Sequence, residues 1–230
     1  MLLAASVAYT LLAGWVPRMV SYSVGVLLGV VFLDLLPEAF EKAADAGALF
    51  GVVLAGILAF FLLEKAALWR HSHEDDGHGL RKPSGLLILT GDAFHNFVDG
   101  VLIAAAFLAD FRLGLTTTLA VMVHEIPQEI GDFMVLLHAG YARSRALLLN
   151  LAVSLASVAG GVLGYLVLDY AQPLVQYALA LAAACFIYIA VADLIPHLHR
   201  QNRREELWWQ IGLIAVGITT IGALGSWLHD

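Results

Sequence analysis

The 230-residue sequence is organised around eight long apolar runs, near residues 2–17, 20–37, 47–68, 85–108, 114–138, 146–168, 174–195 and 208–228, set apart by short polar breaks. The hydrocarbon core of a bilayer takes about 20 helical residues to cross, and a backbone in lipid must satisfy its own hydrogen bonds. The runs are rich in Leu, Ala, Val and Gly and show no alternating strand pattern. They predict an all-α polytopic membrane protein of eight transmembrane helices, a single domain over residues 1–230. Composition agrees. Hydrophobic residues make up 60% and charged residues 13%, with a mean hydropathy of +0.83, more apolar surface than one water-soluble core can hide. The first run lacks the basic leader and cleavage site of a secretory signal and reads as a retained helix. A net charge of −7 without any long basic segment excludes nucleic acid as a partner. The one cysteine, Cys185, lies in an apolar run, which excludes an intrachain disulfide and leaves core packing as its role.

Ten of the twelve basic residues fall in the breaks after the first, third, fifth and seventh runs: Arg18; Lys65, Arg70, Arg81 and Lys82; Arg143 and Arg145; Arg200, Arg203 and Arg204. Only Lys42 and Arg112 fall in the others. Basic loops stay in the cytoplasm, so both termini are expected outside, in a plasma or bacterial inner membrane. The stretch Asp34-Leu35-Leu36-Pro37-Glu38, closing the second run, returns as Asp193-Leu194-Ile195-Pro196-His197, closing the seventh. Equivalent motifs at opposite faces predict an inverted repeat, runs one to three against six to eight with four and five between them, a 3+2+3 arrangement.

The fourth run holds Asp92, His95, Asn96 and Asp99, and the fifth holds His124, Glu125, Gln128, Glu129 and Asp132. His95, Asp99, His124 and Glu129 fall within about 6 Å of the centres of their runs at 1.5 Å of rise per residue. Five ionised carboxylates at that depth would cost on the order of 10 kcal/mol on translocon scales. No Lys or Arg lies between Pro83 and Asp110 or between Leu113 and Ala142, so no salt bridge within these two helices offsets them. Protonation, a wetted path or a transient cation must do so, and imidazoles beside carboxylates favour a transition metal over an alkali ion.

Spacing supports this reading. His95 and Asp99, His124 and Gln128, and Glu125 and Glu129 are each four apart and share a helix face. Nitrogen and oxygen donors from two facing helices suit zinc, with the carboxylates also admitting iron(II) or manganese. Pro127 has no N–H for the carbonyl of Val123, which predicts a kink and a freed carbonyl facing the ligands.

The stretches His95-Asn96-Phe97-Val98-Asp99-Gly100 and His124-Glu125-Ile126-Pro127-Gln128-Glu129-Ile130-Gly131-Asp132 resemble the signatures of the ZIP (Zrt-, Irt-like protein) metal transporters. Leu35-Leu36-Pro37-Glu38-Ala39 resembles the end of that family's second helix. The resemblance covers the whole chain and implies a carrier, not an enzyme. Such a carrier takes zinc, iron, manganese or cadmium toward the cytosol, is often a homodimer and works by an elevator-like movement. The resemblance puts His95, Asp99, His124 and Gln128 in a primary metal site and Asn96, Glu125 and Glu129 in or beside a second. In the subfamily with the most similar fifth-helix signature a second His usually follows the proline. Gln128 stands there in this chain, a neutral and weaker ligand that leaves Glu129 or water to complete the shell. The implied partners are the cation, the lipid bilayer and a second copy; the metal is cargo, and no resident cofactor is implied.

Several peripheral groups are candidates too. Asp34 is placed for metal entry, and Asp193, His197 and His199 for exit. His71, His73 and His78, in a loop spanning about 69–84, can capture released metal. Asn150 and Ser154, four apart in the sixth run, either face the site or fasten helices. Two alternatives compete. His124-Glu125 begins like the His-Glu-x-x-His motif of an intramembrane zinc protease, but Gln128 holds the second His position and Pro127 breaks the regular helix that motif needs. A metal sensor without transport would ordinarily carry a sizeable soluble signalling domain.

Overall fold

The computed structural model describes residues 2–41, 43, 45–74, 83–200 and 204–229, and the secondary structure among them is helical throughout. The first rod, α1, covers residues 2–41 in three unbroken pieces: an α-helix Leu2–Gly29, a π-helical turn Val30–Leu35 and a short α-helix Leu36–Glu41. The next four are α2 (Ala46–Glu74), α3 (Pro83–Ala109), α4 (Phe111–His138) and α5 (Arg143–Tyr170). The sixth, α6, repeats the plan of α1. A 3-10 turn Gln172–Leu174 leads into an α-helix Val175–Tyr188, a π-helical turn Ile189–Leu194 and a short α-helix Ile195–His199. The last rod, α7, is Arg204–His229.

Seven rods among the described residues thus stand where eight helices were expected. The first two apolar runs are one rod because Pro17 and Arg18, read as a break, lie inside the helix. A proline removes one helical hydrogen bond and need not end the helix when both flanks are helical. The Arg18 charge is accommodated by stacking, its guanidinium carbon 5.1 Å from the Trp15 ring and 5.9 Å from the Trp209 ring, the kind of aromatic belt that marks a membrane interface. The expected loop at 69–84 also begins late, since α2 continues to Glu74. The side chains of His71 and His73, and all of His78, lie outside the described residues.

Both π-helical turns have the same local cause. Pro37 and Pro196 offer no N–H, and their rings crowd the carbonyls four residues back, which a locally widened helix relieves. Leu36 N–H accordingly bonds the Val31 carbonyl and Ile195 N–H the Ala190 carbonyl, five residues back in each case. Asp34 and Asp193 occupy the same position in their turns, so the repeated motif is repeated in backbone as well as in sequence.

Three pairs of rods pack side by side and run parallel. Gly25 meets Ile214 and Gly29 meets Ile218 between α1 and α7; Gly56 meets Leu181 and Ala184 between α2 and α6. Between α3 and α5, Gly100 lies against the Ser157 carbonyl and Gly160 against that of Phe97, so close that a Cβ at either glycine would collide. Because α1 and α7 are parallel, the start of one and the end of the other lie at opposite ends of the stack.

Six rods are long and apolar enough to cross a membrane, with windows Trp15–Glu41, Ala46–Leu63, Leu89–Ala109, Arg143–Tyr170, Gln172–His199 and Glu206–Trp227. α4, which carries His124, Glu125, Gln128, Glu129 and Asp132, is the exception. α1, α3, α4 and α6 supply the largest core cluster, including Val26, Leu27, Leu102, Ala105, Val121 and Phe186. α2, α5 and α7 turn Phe50, Leu58, Leu148, Leu155 and Ile211 outward, as rods solvated by lipid do.

Candidate metal site

The site is built on the α3–α4 hairpin, whose turn is a single residue. Asp110 has extended backbone, and its Oδ1 accepts from the N–H groups of Arg112 at 2.8 Å and Leu113 at 3.1 Å, capping α4. At the far end Gly140, with φ +87°, turns the chain, Tyr141 N–H bonding the Leu136 carbonyl and Gly140 N–H that of Leu137. The tight turn holds α3 and α4 antiparallel, so each turn of polar residues on one faces a turn on the other.

Four of the expected residues converge. One ligand atom from each of His95, Asp99, His124 and Glu125 lies within 4.8 Å of the other three. His124 Nε2 is 3.1 Å from Asp99 Oδ2, 3.3 Å from His95 Nε2 and 3.7 Å from Glu125 Oε1. His95 Nε2 is 3.4 Å from Glu125 Oε1 and 3.8 Å from Asp99 Oδ2. Donors at zinc bond lengths of about 2.0 to 2.2 Å in a tetrahedron would stand about 3.3 to 3.6 Å apart.

The hydrogen bonds around the cluster sharpen its character. His124 Nδ1 lies 2.9 Å from the Ala120 carbonyl, which can only accept, so Nδ1 carries the hydrogen and Nε2 turns a lone pair on the site. Among the described residues no hydrogen-bond donor from outside the cluster reaches either Asp99 oxygen or Glu125 Oε1. Asp99 is fully buried and His124 is 1% exposed. Carboxylate oxygens without an outside donor therefore face two imidazoles, with Asp99 and His124 out of water and His95 and Glu125 partly exposed, an arrangement that favours positive charge at its centre, whether a proton or a metal cation.

The other expected residues lie elsewhere. Gln128 does not join the four: its Nε2 donates to Asp92 Oδ1 at 2.9 Å. Asn96 Nδ2 supports the same oxygen at 3.3 Å. Glu129 is held by α5, its Oε1 accepting from Ser154 Oγ at 2.7 Å and its carbonyl from Asn150 Nδ2 at 3.0 Å. Asp132 is half-buried one turn further along α4. Asp34 sits beside Gly225 of α7, and Asp193, His197 and His199 are exposed at the end of α6. Cys185 is buried in the core, next to Phe186, whose ring meets that of His124 at 6.0 Å between centroids.

One residue the sequence reading did not name is Ser23 of α1. Its hydroxyl, fully buried, shares its one hydrogen between the Val123 carbonyl at 2.8 Å, the carbonyl that Pro127 deprives of its helical partner, and the Met19 carbonyl of its own helix at 2.9 Å. That carbonyl is thus tied to α1 instead of facing the ligands. The signal was present in Pro127 itself, because a buried orphaned carbonyl calls for a donor from a neighbouring helix.

A family model described as ZIP Zinc transporter matches residues 70–225. The chain is 33% identical over 220 residues to Zinc transporter ZIP13 of Pongo abelii, covering 89% of this chain and 65% of that protein. It is 31% identical over 260 residues to Zinc transporter ZIP13 of Homo sapiens, covering 89% of this chain and 69% of that protein. To Zinc transporter ZIP4 of Mus musculus it is 42% identical over 141 residues, 61% of this chain but 20% of that longer protein. The chain spans about two thirds of the length of the ZIP13 relatives and a fifth of that of ZIP4.

Proposed function

The chain belongs to the ZIP zinc transporter family, and from that premise we propose that it carries divalent transition-metal cations, zinc first, through the cluster of His95, Asp99, His124 and Glu125. One observation carries this reading: four potential ligand atoms converge within 4.8 Å, and the Asp99 oxygens and Glu125 Oε1 among them have no hydrogen-bond donor from outside the cluster among the described residues. A dehydrated cation supplies the missing charge, and two nitrogens with two carboxylates suit zinc while admitting iron or manganese. Family membership also sets aside the protease alternative.

Movement is inward. Arg18 and the α2–α3, α4–α5 and α6–α7 connections still carry ten of the twelve basic residues, which puts that face, with the Arg18 end of α1, in the cytoplasm and the end of α7 outside. Toward the cytoplasm the cluster is followed by Asp92, Gln128, Glu129 and Asp132, a polar descent. Toward the outside it is followed by Leu102, Ala105, Ala106 and Val121, an apolar seal. α1 and α2 form an inverted pair with α6 and α7 around α3 to α5, and exchange of the seal between faces exposes the cluster alternately. Zinc uptake into proteoliposomes tests the reading: His95→Ala and Asp99→Ala are each expected to abolish flux, and parent-level flux in both would overturn it. Iron, manganese and cadmium in the same assay rank selectivity.

A further inference from the structure

A cavity of about 290 Å³ opens at the end of the stack where α1 and α3 finish and α6 begins, opposite the face that carries ten of the twelve basic residues. Glu38, Leu108, Ala109, Gln172, Gln176 and Leu179 are among its lining residues, and Glu38 is the ionisable group among the described lining residues. The Gln176 side-chain oxygen is buried and receives no hydrogen bond from the described residues. Leu108 and Ala109 bring the C-terminal end of α3, the negative end of its dipole. At the start of α6 the Leu174 N–H bonds the Ala171 carbonyl and the Val175 N–H that of Gln172. The cavity offers a carboxylate, an amide oxygen and a negative helix end.

We propose that this cavity is an outer binding station for a partly hydrated divalent cation, held by Glu38 and Gln176 before it reaches the central cluster. The proposal rests on the transport reading above. Ala109 is ten residues along α3 from Asp99, and Gln176 ten along α6 from Phe186, the residue against His124, so the station stands about 15 Å above the cluster. Buried Leu102, Ala105, Ala106 and Leu179 lie between the two levels. A cation at the station keeps part of its water, since Glu38 and Gln176 supply only two side-chain ligands, and it gives up the rest on passing the seal. The station raises local cation concentration at the entrance and so sets apparent affinity, leaving the turnover of the central cluster to the residues below.

Initial rates of zinc uptake into proteoliposomes against zinc concentration test this. Gln176→Leu and Glu38→Gln are each expected to raise KM about tenfold with the maximal rate within about twofold, the low end of the loss on removing a supporting metal partner. Gln176→Glu, which adds a carboxylate in the same shape, is expected to lower KM, an inversion that a packing role for Gln176 would not produce. The parent's KM is also expected to rise more steeply with ionic strength than that of Glu38→Gln, because a site near the surface is screened. Unchanged KM in Gln176→Leu and Glu38→Gln, with His124→Ala silent, would overturn the station and leave the central site standing. Parent-level flux in His124→Ala would instead overturn the transport reading itself.

Discussion

Two polar regions lie on the same pair of helices, one turn apart, and are built on opposite terms. Around Asp92 and Glu129 each carboxylate is met by neutral donors, Gln128 and Asn96 for the first and Ser154 for the second. Around Asp99 and Glu125 the facing groups are two imidazoles and nothing else from the described chain. The first region meets its carboxylates with neutral donors, though Asp92 Oδ2 finds none among the described residues; the second has no donor from outside the cluster, which favours a cation there. Residue type and helical spacing are much the same in both, and only the partner each side chain finds separates them.

The sharpest way to break this comparison is to remove a ligand from the donor-free cluster. Asp99→Ala and His124→Ala are each expected to lower zinc flux by more than about 100-fold, beyond the loss typical of supporting partners of a metal. A fall of less than tenfold would put the two regions on one footing. Next in size is the effect of the cargo on stability. Zinc at about 100 times its dissociation constant should stabilise the detergent-solubilised parent by about 2.7 kcal/mol, read as a rise in melting temperature, and should leave Asp99→Ala unmoved. Gln128→Leu strips a donor from buried Asp92, at a cost of about 1 to 3 kcal/mol in thermal stability, with flux kept within about threefold of the parent. A flux loss matching Asp99→Ala would return Gln128 to the ligand set. Ser23→Ala should destabilise by about 1 to 2 kcal/mol, leaving the Val123 carbonyl without its donor, and Ser23→Thr should restore it. Smallest is Ser154→Ala, one hydrogen bond to Glu129 and about 1 kcal/mol; a larger loss, or any loss of zinc binding, would move Glu129 toward the donor-free cluster.

Much of the helical plan was legible because lipid demands long apolar runs, and six of the rods answer to such runs directly. The fusion of the first two was not, since hydropathy registers Pro17 and Arg18 as a break whereas the backbone can carry a proline, and the stacking partner of Arg18, Trp209, comes from the far end of the chain. In the site, depth and missing counter-charges pointed to the pair of helices on which His95, Asp99, His124 and Glu125 converge. Spacing paired His124 with Gln128 and Glu125 with Glu129, because four residues bring side chains to one face of a helix. The cluster forms where His95 of α3 approaches α4 from the flank, so the neighbour of His124 in sequence, about 100° around the helix, reaches it and Gln128 turns to Asp92. Which acceptor an amide finds on the next helix depends on crossing and register, and a single strand of residues does not record either.

α4 is the one rod whose own sequence would not hold it in a bilayer. Alone and ionised, its Glu125, Glu129 and Asp132 would cost on the order of 8 kcal/mol at mid-depth, and Pro127 and Gly131 weaken its helix further. Its residence in the membrane is therefore a property of its company, with α3 joined to it by one residue, α1 bonding its opened carbonyl and α5 its glutamate. During synthesis it partitions from the translocon only together with such neighbours, and a variant that loosens them will show first as a failure of insertion.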